Sequence, residues 1–157
     1  MTPLFLFILG FNFKTMKLAT TLFFVIITFC VAGQGTIVGK WKTIDDETNE
    51  AKSIVEIVEK NGKYFGKIVK LFLAPGEDPD PVCQECDSED DRYRKKVIGM
   101  EILKDMMKTG AEYSEGNILD PKNGKIYSCK IWLEGNNLKL RGYWGPFFRT
   151  QTWLPGQ

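Results

Sequence analysis

The sequence contains no histidine, and its 21 Lys and Arg residues almost balance its 20 Asp and Glu residues. The absence of histidine excludes Ser-His-Asp and Cys-His catalysis and every metal site that uses imidazole. The near balance of charge argues against nucleic acid as a partner, because an electrostatic nucleic-acid binder needs a basic excess. Phenylalanine is scarce after residue 30, because only four of the 11 phenylalanines lie there. The N-terminal segment therefore differs in composition from the rest of the chain.

The N-terminal segment has the composition of a targeting signal. From Met16 a basic start is followed by an apolar run, residues 22–31, that ends in small residues. This pattern predicts a signal peptide region over residues 1–33, with Met16 as the true start. The run is shorter than the ~20 residues of a membrane-spanning helix, so we expect no membrane span after signal removal. The alternative is a longer anchor that includes residues 1–15. We expect a periplasmic or secreted protein.

Residues 34–157 predict a single all-β domain, with 19 basic and 20 acidic residues. About eight short runs of β-forming residues are separated by turn residues. Asn61-Gly62 between two β-branched runs is a strong hairpin sign, and residues 120–124 predict another turn. The sequence shows no long amphipathic helix and no internal repeat. We therefore predict a small antiparallel meander that closes as a barrel or a sandwich.

Alternation of apolar and polar residues assigns the faces of two predicted strands, 125–134 and 138–143. Side chains of a strand point alternately to the two faces of a sheet, so one face is predicted to be buried. Trp132 is an aromatic exception on the predicted outer face. The predicted inward-facing residues are Tyr127, Cys129, Ile131, Leu133, Leu138 and Leu140.

Cys83 and Cys86 form a CxxC pair within residues 78–96, which predict a long loop. Neighbouring carboxylates would raise the thiol pKa, which argues against redox catalysis. In an oxidising compartment the pair predicts a small disulfide, with a zinc site as an alternative that lacks a clear fourth ligand. Cys129 is predicted to be a buried free thiol.

Two acidic features have simpler structural explanations. Residues 87–91 lack the glycine that an EF-hand turn requires, and basic residues follow at once, so we expect a solvated loop. Asp120 could serve as an acid catalyst, but its place before Pro, Lys, Asn and Gly is typical of a turn in which Asp accepts backbone hydrogen bonds.

Gly39-Lys40-Trp41 opens the first predicted strand, and Arg149 lies in the last. This arrangement resembles the signature of lipocalins and other calycin barrels. The resemblance implies that Trp41 packs across one closed end of the barrel against Arg149, through a cation–π contact. It also favours a lipocalin-like (calycin-type) β-barrel of about eight strands over a sandwich.

A set of short motifs runs through the predicted domain in a fixed order and spacing. They are residues 39–43, 54–57, 64–68, 83–86, 98–99, 118–127, 140–143 and 149–153. On these motifs the chain resembles the bacterial domain-of-unknown-function family DUF2147 over nearly all of residues 36–153. The resemblance implies a secreted, mostly periplasmic single domain with a lipocalin-like barrel and no established activity, so no functional residue is carried over. Phe148 stands where the family usually has Gly.

Three functions remain open from the sequence. The first is binding of a small apolar or amphipathic molecule inside the barrel, with the Tyr127 hydroxyl as its polar anchor. The second is an envelope protein-interaction module without internal ligand, and the third is an enzyme of unrecognised class using Asp120 or the Cys83/Cys86 pair. No cofactor and no metal are expected, and the oligomeric state is not predicted. The predicted ligand-binding residues are Trp41, Tyr127, Ile131, Leu138 and Leu140, and the predicted interaction patch comprises Trp132, Tyr143 and Trp144.

Overall fold

The structure, a computed structural model, describes residues 35–46 and 48–156. The predicted signal peptide over residues 1–33 and the predicted start at Met16 lie outside these residues. Eight antiparallel strands form a closed barrel in sequence order, and the first strand pairs with the last through Trp41 and Pro155. The strands are β1 Gly39–Ile44, β2 Ala51–Lys60, β3 Lys63–Leu71, β4 Glu101–Thr109, β5 Glu112–Asp120, β6 Lys125–Glu134, β7 Asn137–Trp144 and β8 Phe147–Pro155.

The architecture confirms the predicted all-β, lipocalin-like barrel. The part of the chain that the structure describes contains no helix. Asn61 and Gly62 form the β2–β3 turn with φ angles of 53° and 76°. Two-residue turns with positive φ match the twist of antiparallel strands, which explains why this pair joins β2 to β3 so tightly. Closure pairs every strand on both sides and leaves no free sheet edge.

Because successive strands alternate in direction, the connections fall into two groups. The closed end carries residues 35–38 and the β2–β3, β4–β5 and β6–β7 turns. The opposite end, called the mouth here, carries the β1–β2 loop, the long β3–β4 loop and the β5–β6 and β7–β8 turns. At the closed end Ile37 is fully buried, and its carbonyl accepts a hydrogen bond of 2.7 Å from Nε1 of Trp41.

The barrel core fills the half of the interior next to the closed end. Trp41 and Trp153 are both buried there, on the neighbouring strands β1 and β8. Around them lie aliphatic and sulfur side chains in van der Waals contact, as expected for a close-packed protein interior. The fully buried aliphatic and Met side chains of the cluster include Val55, Ile57, Leu103, Met106, Ile131 and Leu138.

The β3–β4 loop, residues 72–100, packs against the outside of the barrel. Ile102 and Leu119 are buried although their chain neighbours Leu103 and Ile118 point inward, so the loop covers the outer face of β4 and β5. The loop contains the predicted disulfide between Cys83 and Cys86, whose Cα atoms lie 5.5 Å apart. The predicted long loop and disulfide are therefore confirmed.

The acidic part of this loop is less solvated than the sequence suggests. Asp90 is only 13% exposed and forms a two-point ion pair with the buried Arg92, at 2.8 Å and 2.7 Å. The hydrogen bonds from Arg92 hold the pKa of the Asp90 carboxyl well below its usual range. Arg92 also donates to the carbonyl of Glu101 at 3.3 Å, which ties the loop to the start of β4.

Candidate functional site

The half of the barrel interior next to the mouth differs from the close-packed half below it. Five residues of this half, one of them a glycine, face the interior, because each pairs across the sheet with another inward-facing residue. All five are partly accessible to solvent. These five positions are therefore less buried than the core residues at the closed end. These positions are Leu71, Ile118, Tyr127, Gly142 and Gln151.

Two aromatic rings form the rim of the mouth beside the β7–β8 turn. Trp144 is 67% exposed and Phe147 is 68% exposed, and their ring centroids lie 6.4 Å apart. The ammonium group of Lys125 lies 5.4 Å from the centroid of the Trp144 ring. Adjacent exposed aromatic rings on a protein surface mark a place where apolar groups of another molecule can bind.

A row of connected polar side chains, called the polar column here, runs along the inner face of β8 from the mouth toward the closed end. It comprises Arg149 and Gln151 of β8 together with Asp46. Asp46, from the β1–β2 loop, accepts a hydrogen bond of 2.8 Å at its Oδ2 atom from the Gln151 amide, and the same oxygen forms an ion pair with the Arg149 guanidinium at 2.8 Å. The Oε1 atom of Gln151 accepts a bond of 3.4 Å from the indole N–H of Trp153. The column thus joins a buried tryptophan to an exposed guanidinium, since the Arg149 side chain is 64% exposed.

Thr43 and Ser53 add a buried polar pair to the same interior. They are cross-strand partners on β1 and β2, and their hydroxyl oxygens lie 2.7 Å apart in a hydrogen bond. Both face the barrel interior, because they alternate with the inward-facing Trp41 and Val55. Burial of these hydroxyls is tolerated because each is hydrogen-bonded.

The predicted stacking of Arg149 on Trp41 is corrected by the structure. Trp41 pairs with Pro155, six residues farther along β8 than Arg149. At ~3.3 Å per residue this separation places Arg149 near the mouth while Trp41 lies at the closed end. The guanidinium of Arg149 contacts Asp46 instead. Trp41 does seal the closed end, through its contact with Ile37.

The five predicted ligand-binding residues fall into two groups. Trp41, Ile131, Leu138 and Leu140 are buried in the core, and Leu140 pairs directly with Ile131 and with Gln151 across the sheet. Tyr127 alone lies at the accessible half of the interior. The sequence reasoning missed Gln151, although alternation along β8 from Phe147 through Arg149 to Trp153 could have identified it as inward-facing.

The predicted interaction patch is divided between two surfaces. Tyr143 lies on the outer face, where its ring centroid is 6.3 Å from that of Phe148, which is 62% exposed. The Arg141 guanidinium lies 5.3 Å from the Trp132 ring and 4.6 Å from the Phe148 ring. Trp144 belongs to the rim of the mouth instead.

The side chains that could have carried enzymatic chemistry are engaged in structural contacts. The Asp120 carboxylate accepts bonds from the Lys122 backbone N–H at 3.0 Å and the Asn123 amide at 3.1 Å, as expected for a turn. Cys83 and Cys86 are buried in their disulfide, and the Cys83 sulfur lies 3.5 Å from the Pro121 carbonyl oxygen. Asp120 and the cysteine pair are thus neighbours, through the β5–β6 turn.

Cys129, the remaining cysteine within residues 35–46 and 48–156, is confirmed as a buried free thiol. Cys129 faces the barrel interior, and its sulfur lies 3.5 Å from that of Met106. Burial raises the pKa of the Cys129 thiol from 9.0 to about 12. A neutral thiol of this kind packs as a small apolar side chain.

Other potential sites are few. Two surface cavities, of about 310 Å³ and 420 Å³, lie on the β3–β4 loop, and no inward-facing barrel side chain lines either one. Residues 35–46 and 48–156 contain no group of three or more carboxylate or thiol side chains arranged to hold a metal. Nor does any helix within these ranges have the length and apolarity to cross a membrane.

The sequence of residues 39–154 matches the model of a family described as "Uncharacterized protein conserved in bacteria (DUF2147)". The chain belongs to this family. The DUF2147 barrel is similar to the structure of protein HP1028 from the human pathogen Helicobacter pylori, which is described as belonging to the lipocalin family. The two structures give a TM-score of 0.65 over 78% of this chain and 84% of the other, with 20% sequence identity. At that identity the likeness shows the lipocalin-like fold. No curated protein matches the DUF2147 chain in sequence.

Proposed function

We propose that this DUF2147 protein binds a small amphipathic molecule at the mouth of its barrel. The observation that carries the proposal is the change in solvent exposure along the barrel interior. The apolar side chains around Trp41 and Trp153 are buried, whereas inward-facing residues toward the opposite end are partly accessible. An eight-stranded barrel has room either for a filled core or for one small ligand, and the residues toward the mouth are less buried than the core at the closed end.

The chemistry of the mouth supports an amphipathic ligand rather than a purely apolar one. The rings of Trp144 and Phe147 offer apolar contact area at the rim. Tyr127, Gln151 and Arg149 offer hydrogen-bonding groups on the inner wall. Concave sites that combine apolar walls with a few oriented polar groups are typical of small-molecule binding. In this proposal Leu140 contributes to the floor beneath the ligand and not to a deep cavity.

We also infer that the protein acts outside the cytoplasm. The disulfide between Cys83 and Cys86 supports this inference, because disulfides persist in oxidising compartments. The predicted signal peptide points to the same location. A periplasmic or secreted carrier would meet amphipathic molecules released from membranes or taken up from the medium.

A fluorescent amphiphile tests the proposal directly. Dansyl-labelled undecanoic acid, titrated into the protein, should show saturable binding with one molecule per chain. Gly142 supplies the decisive variant, because a Cβ there would meet only the Cβ of Tyr127, at 3.7 Å, leaving open space into which a larger side chain can extend. Gly142→Trp should therefore fill the mouth and weaken probe binding by about tenfold or more.

Lys130→Trp is the matched control, because Lys130 is exposed on the outer face of the neighbouring strand. It should leave binding unchanged. Absence of saturable binding by the unmodified protein would contradict the proposal, as would equal weakening by the two tryptophan substitutions.

A protein-interaction module is the second candidate function. The exposed Phe148 ring, stacked with Arg141 on the outer face, supports it. Under this alternative Phe148→Ser would weaken binding of an envelope partner and Gly142→Trp would not. Under the proposal above, Phe148→Ser should leave probe affinity unchanged.

A further inference from the structure

We propose that Arg149 and Gln151 form a recognition site for a carboxylate head group. The carboxylate of Asp46 occupies this site when no ligand is bound. This inference rests on the proposed binding of an amphipathic molecule at the mouth and specifies its chemical class. The ligand would be an amphipathic carboxylate, with its charged end at Arg149 and its apolar part against the rim.

The geometry of the Asp46 contact carries the inference. Two side chains from β8 converge on the same carboxylate oxygen at 2.8 Å each, Gln151 through a hydrogen bond and Arg149 through an ion pair. A guanidinium offers five N–H donors in a planar fork that fits carboxylates. An arrangement that holds the carboxylate of Asp46 can hold the carboxylate of a ligand in the same way.

Trp153 fixes the direction in which Gln151 presents its donor. The indole N–H can only donate, so its partner at 3.4 Å must be the Oε1 atom of Gln151. The amide NH₂ group of Gln151 is then turned toward Asp46 and the mouth. Because Trp153 is buried, this orientation is held by the barrel core and does not depend on Asp46.

Asp46 is placed to exchange with a ligand. Its side chain is 27% exposed and that of Arg149 is 64% exposed, so water and solutes reach the ion pair. Exposed ion pairs contribute little to stability, so replacing the Asp46 carboxylate with that of a ligand costs little free energy. Asp46 also belongs to the short β1–β2 loop, where the Asp45 N–H donates to the Glu50 carbonyl at 2.8 Å.

The rim is correctly placed for the apolar part of the same molecule. Phe147 precedes Arg149 by two residues on β8, so both side chains lie on one face of the strand, about 7 Å apart along it. Trp144 is the cross-strand partner of Phe147. A molecule with a carboxylate at Arg149 therefore reaches the two rings with its first few carbon atoms. An uncharged ligand offers no group to pair with Arg149 in place of Asp46, so a carboxylate is favoured over its ester.

The test compares dansyl-labelled undecanoic acid with its methyl ester, which has the same apolar part and no charge. Binding of both probes is measured for the unmodified protein and for Arg149→Gln, Asp46→Asn and the control Arg141→Gln. Arg141 is a suitable control because its guanidinium lies on the outer face of β7, over the Trp132 and Phe148 rings, and not on the inner face with Arg149. Circular dichroism before each titration verifies that every variant retains the fold.

We expect the acid to bind about tenfold more tightly than the ester. Arg149→Gln should abolish this preference and leave ester affinity unchanged, whereas Arg141→Gln should alter neither. Asp46→Asn should tighten acid binding, because the internal competitor loses its charge. A role for Asp46 and Arg149 in stability alone would not produce that gain.

The two proposals can fail separately. Equal binding of acid and ester, or an acid affinity that Asp46→Asn leaves unchanged or weakens, overturns the carboxylate site and leaves the binding function standing. Failure of both probes to bind overturns the binding function and, with it, the carboxylate site.

Discussion

Gly124 lies directly against the backbone of Glu85, so that a Cβ atom at Gly124 would overlap the carbonyl oxygen of Glu85. Gly124 also has a φ of +68°, in the left-handed region that favours glycine. The contact joins the β5–β6 turn to the disulfide loop, where the Cys83 sulfur lies 3.5 Å from the Pro121 carbonyl oxygen. Two segments far apart in sequence therefore form one rigid corner of the mouth.

Gly124→Ala should destabilise the protein by more than backbone conformation alone explains. A non-glycine residue with positive φ costs on the order of 1–3 kcal/mol, and displacement of the Glu85 backbone adds to this. Gly135→Ala is the matched control, because Gly135 has a φ of +60° and nothing within 4 Å of its Cβ position. Urea denaturation should show the larger loss for Gly124→Ala. Equal losses of unfolding free energy in the two variants would mean that the contact between Gly124 and Glu85 does not affect stability.

Trp41→Ala should lower the free energy of unfolding by about 3–5 kcal/mol, as loss of a large buried aromatic does. Arg149→Ala should cost less than about 1 kcal/mol, because its ion pair with Asp46 is exposed. The two losses should add, since the residues lie at opposite ends of the barrel. A double-mutant cycle by chemical denaturation measures this directly. A coupling energy of about 1 kcal/mol or more would indicate that the two side chains are in contact after all.

Cys129 should make the protein less stable at alkaline pH. Burial raises the pKa of its thiol to about 12 in the folded state, above the ordinary value of 9.0. Above pH 9 the unfolded chain loses this proton while the folded chain retains it, so stability falls as pH rises from about 9 toward 12. Cys129→Ala removes the titrating group. Its unfolding free energy should therefore decline less steeply over that range than that of the unmodified protein.

The same thiol provides an independent check. Native protein starting at Gln34 should react slowly with a thiol reagent at pH 8, and denatured, unreduced protein should expose one thiol per chain. Rapid reaction of the native protein, or a second thiol after denaturation, would be inconsistent with a buried Cys129 and an intact Cys83–Cys86 disulfide.

Export of the protein should remove its N-terminal segment close to Gln34, because small residues end the apolar run there. The intact mass of protein isolated from the producing cells gives the cleavage point. A product that keeps Met16 or Met1 would rule out a cleaved signal peptide and favour a membrane anchor.

Much of the barrel was predictable because its signals are local. Asn61-Gly62 specified a hairpin through its φ preferences, and the alternation from Tyr127 to Leu133 specified which face of β6 is buried. The disulfide was predictable from the spacing of Cys83 and Cys86 together with the expected compartment. In each case the relevant interaction lies within a few residues along the chain.

The candidate site was much less predictable, because its parts come from distant segments. Asp46 and Gln151 are 105 residues apart, and no local pattern brings their side chains together. The resemblance to calycin barrels placed Arg149 beside Trp41, whereas the strand register places it near the mouth. Alternation alone tells which face a residue occupies, and it does not tell how far along the barrel axis the residue lies.

The sequence by itself indicated a meander of about eight strands, the Asn61-Gly62 and 120–124 turns, the buried faces of β6 and β7 and a Cys83–Cys86 disulfide, because these depend on backbone preference, side-chain alternation and short separations. Tertiary structure decided which inward-facing residues are buried and which are partly accessible, since that depends on how eight strands are staggered around the barrel. It also decided that Asp46, Arg149 and Gln151 meet, because hydrogen bonds between distant segments form only once the closed barrel has brought β8 beside β1.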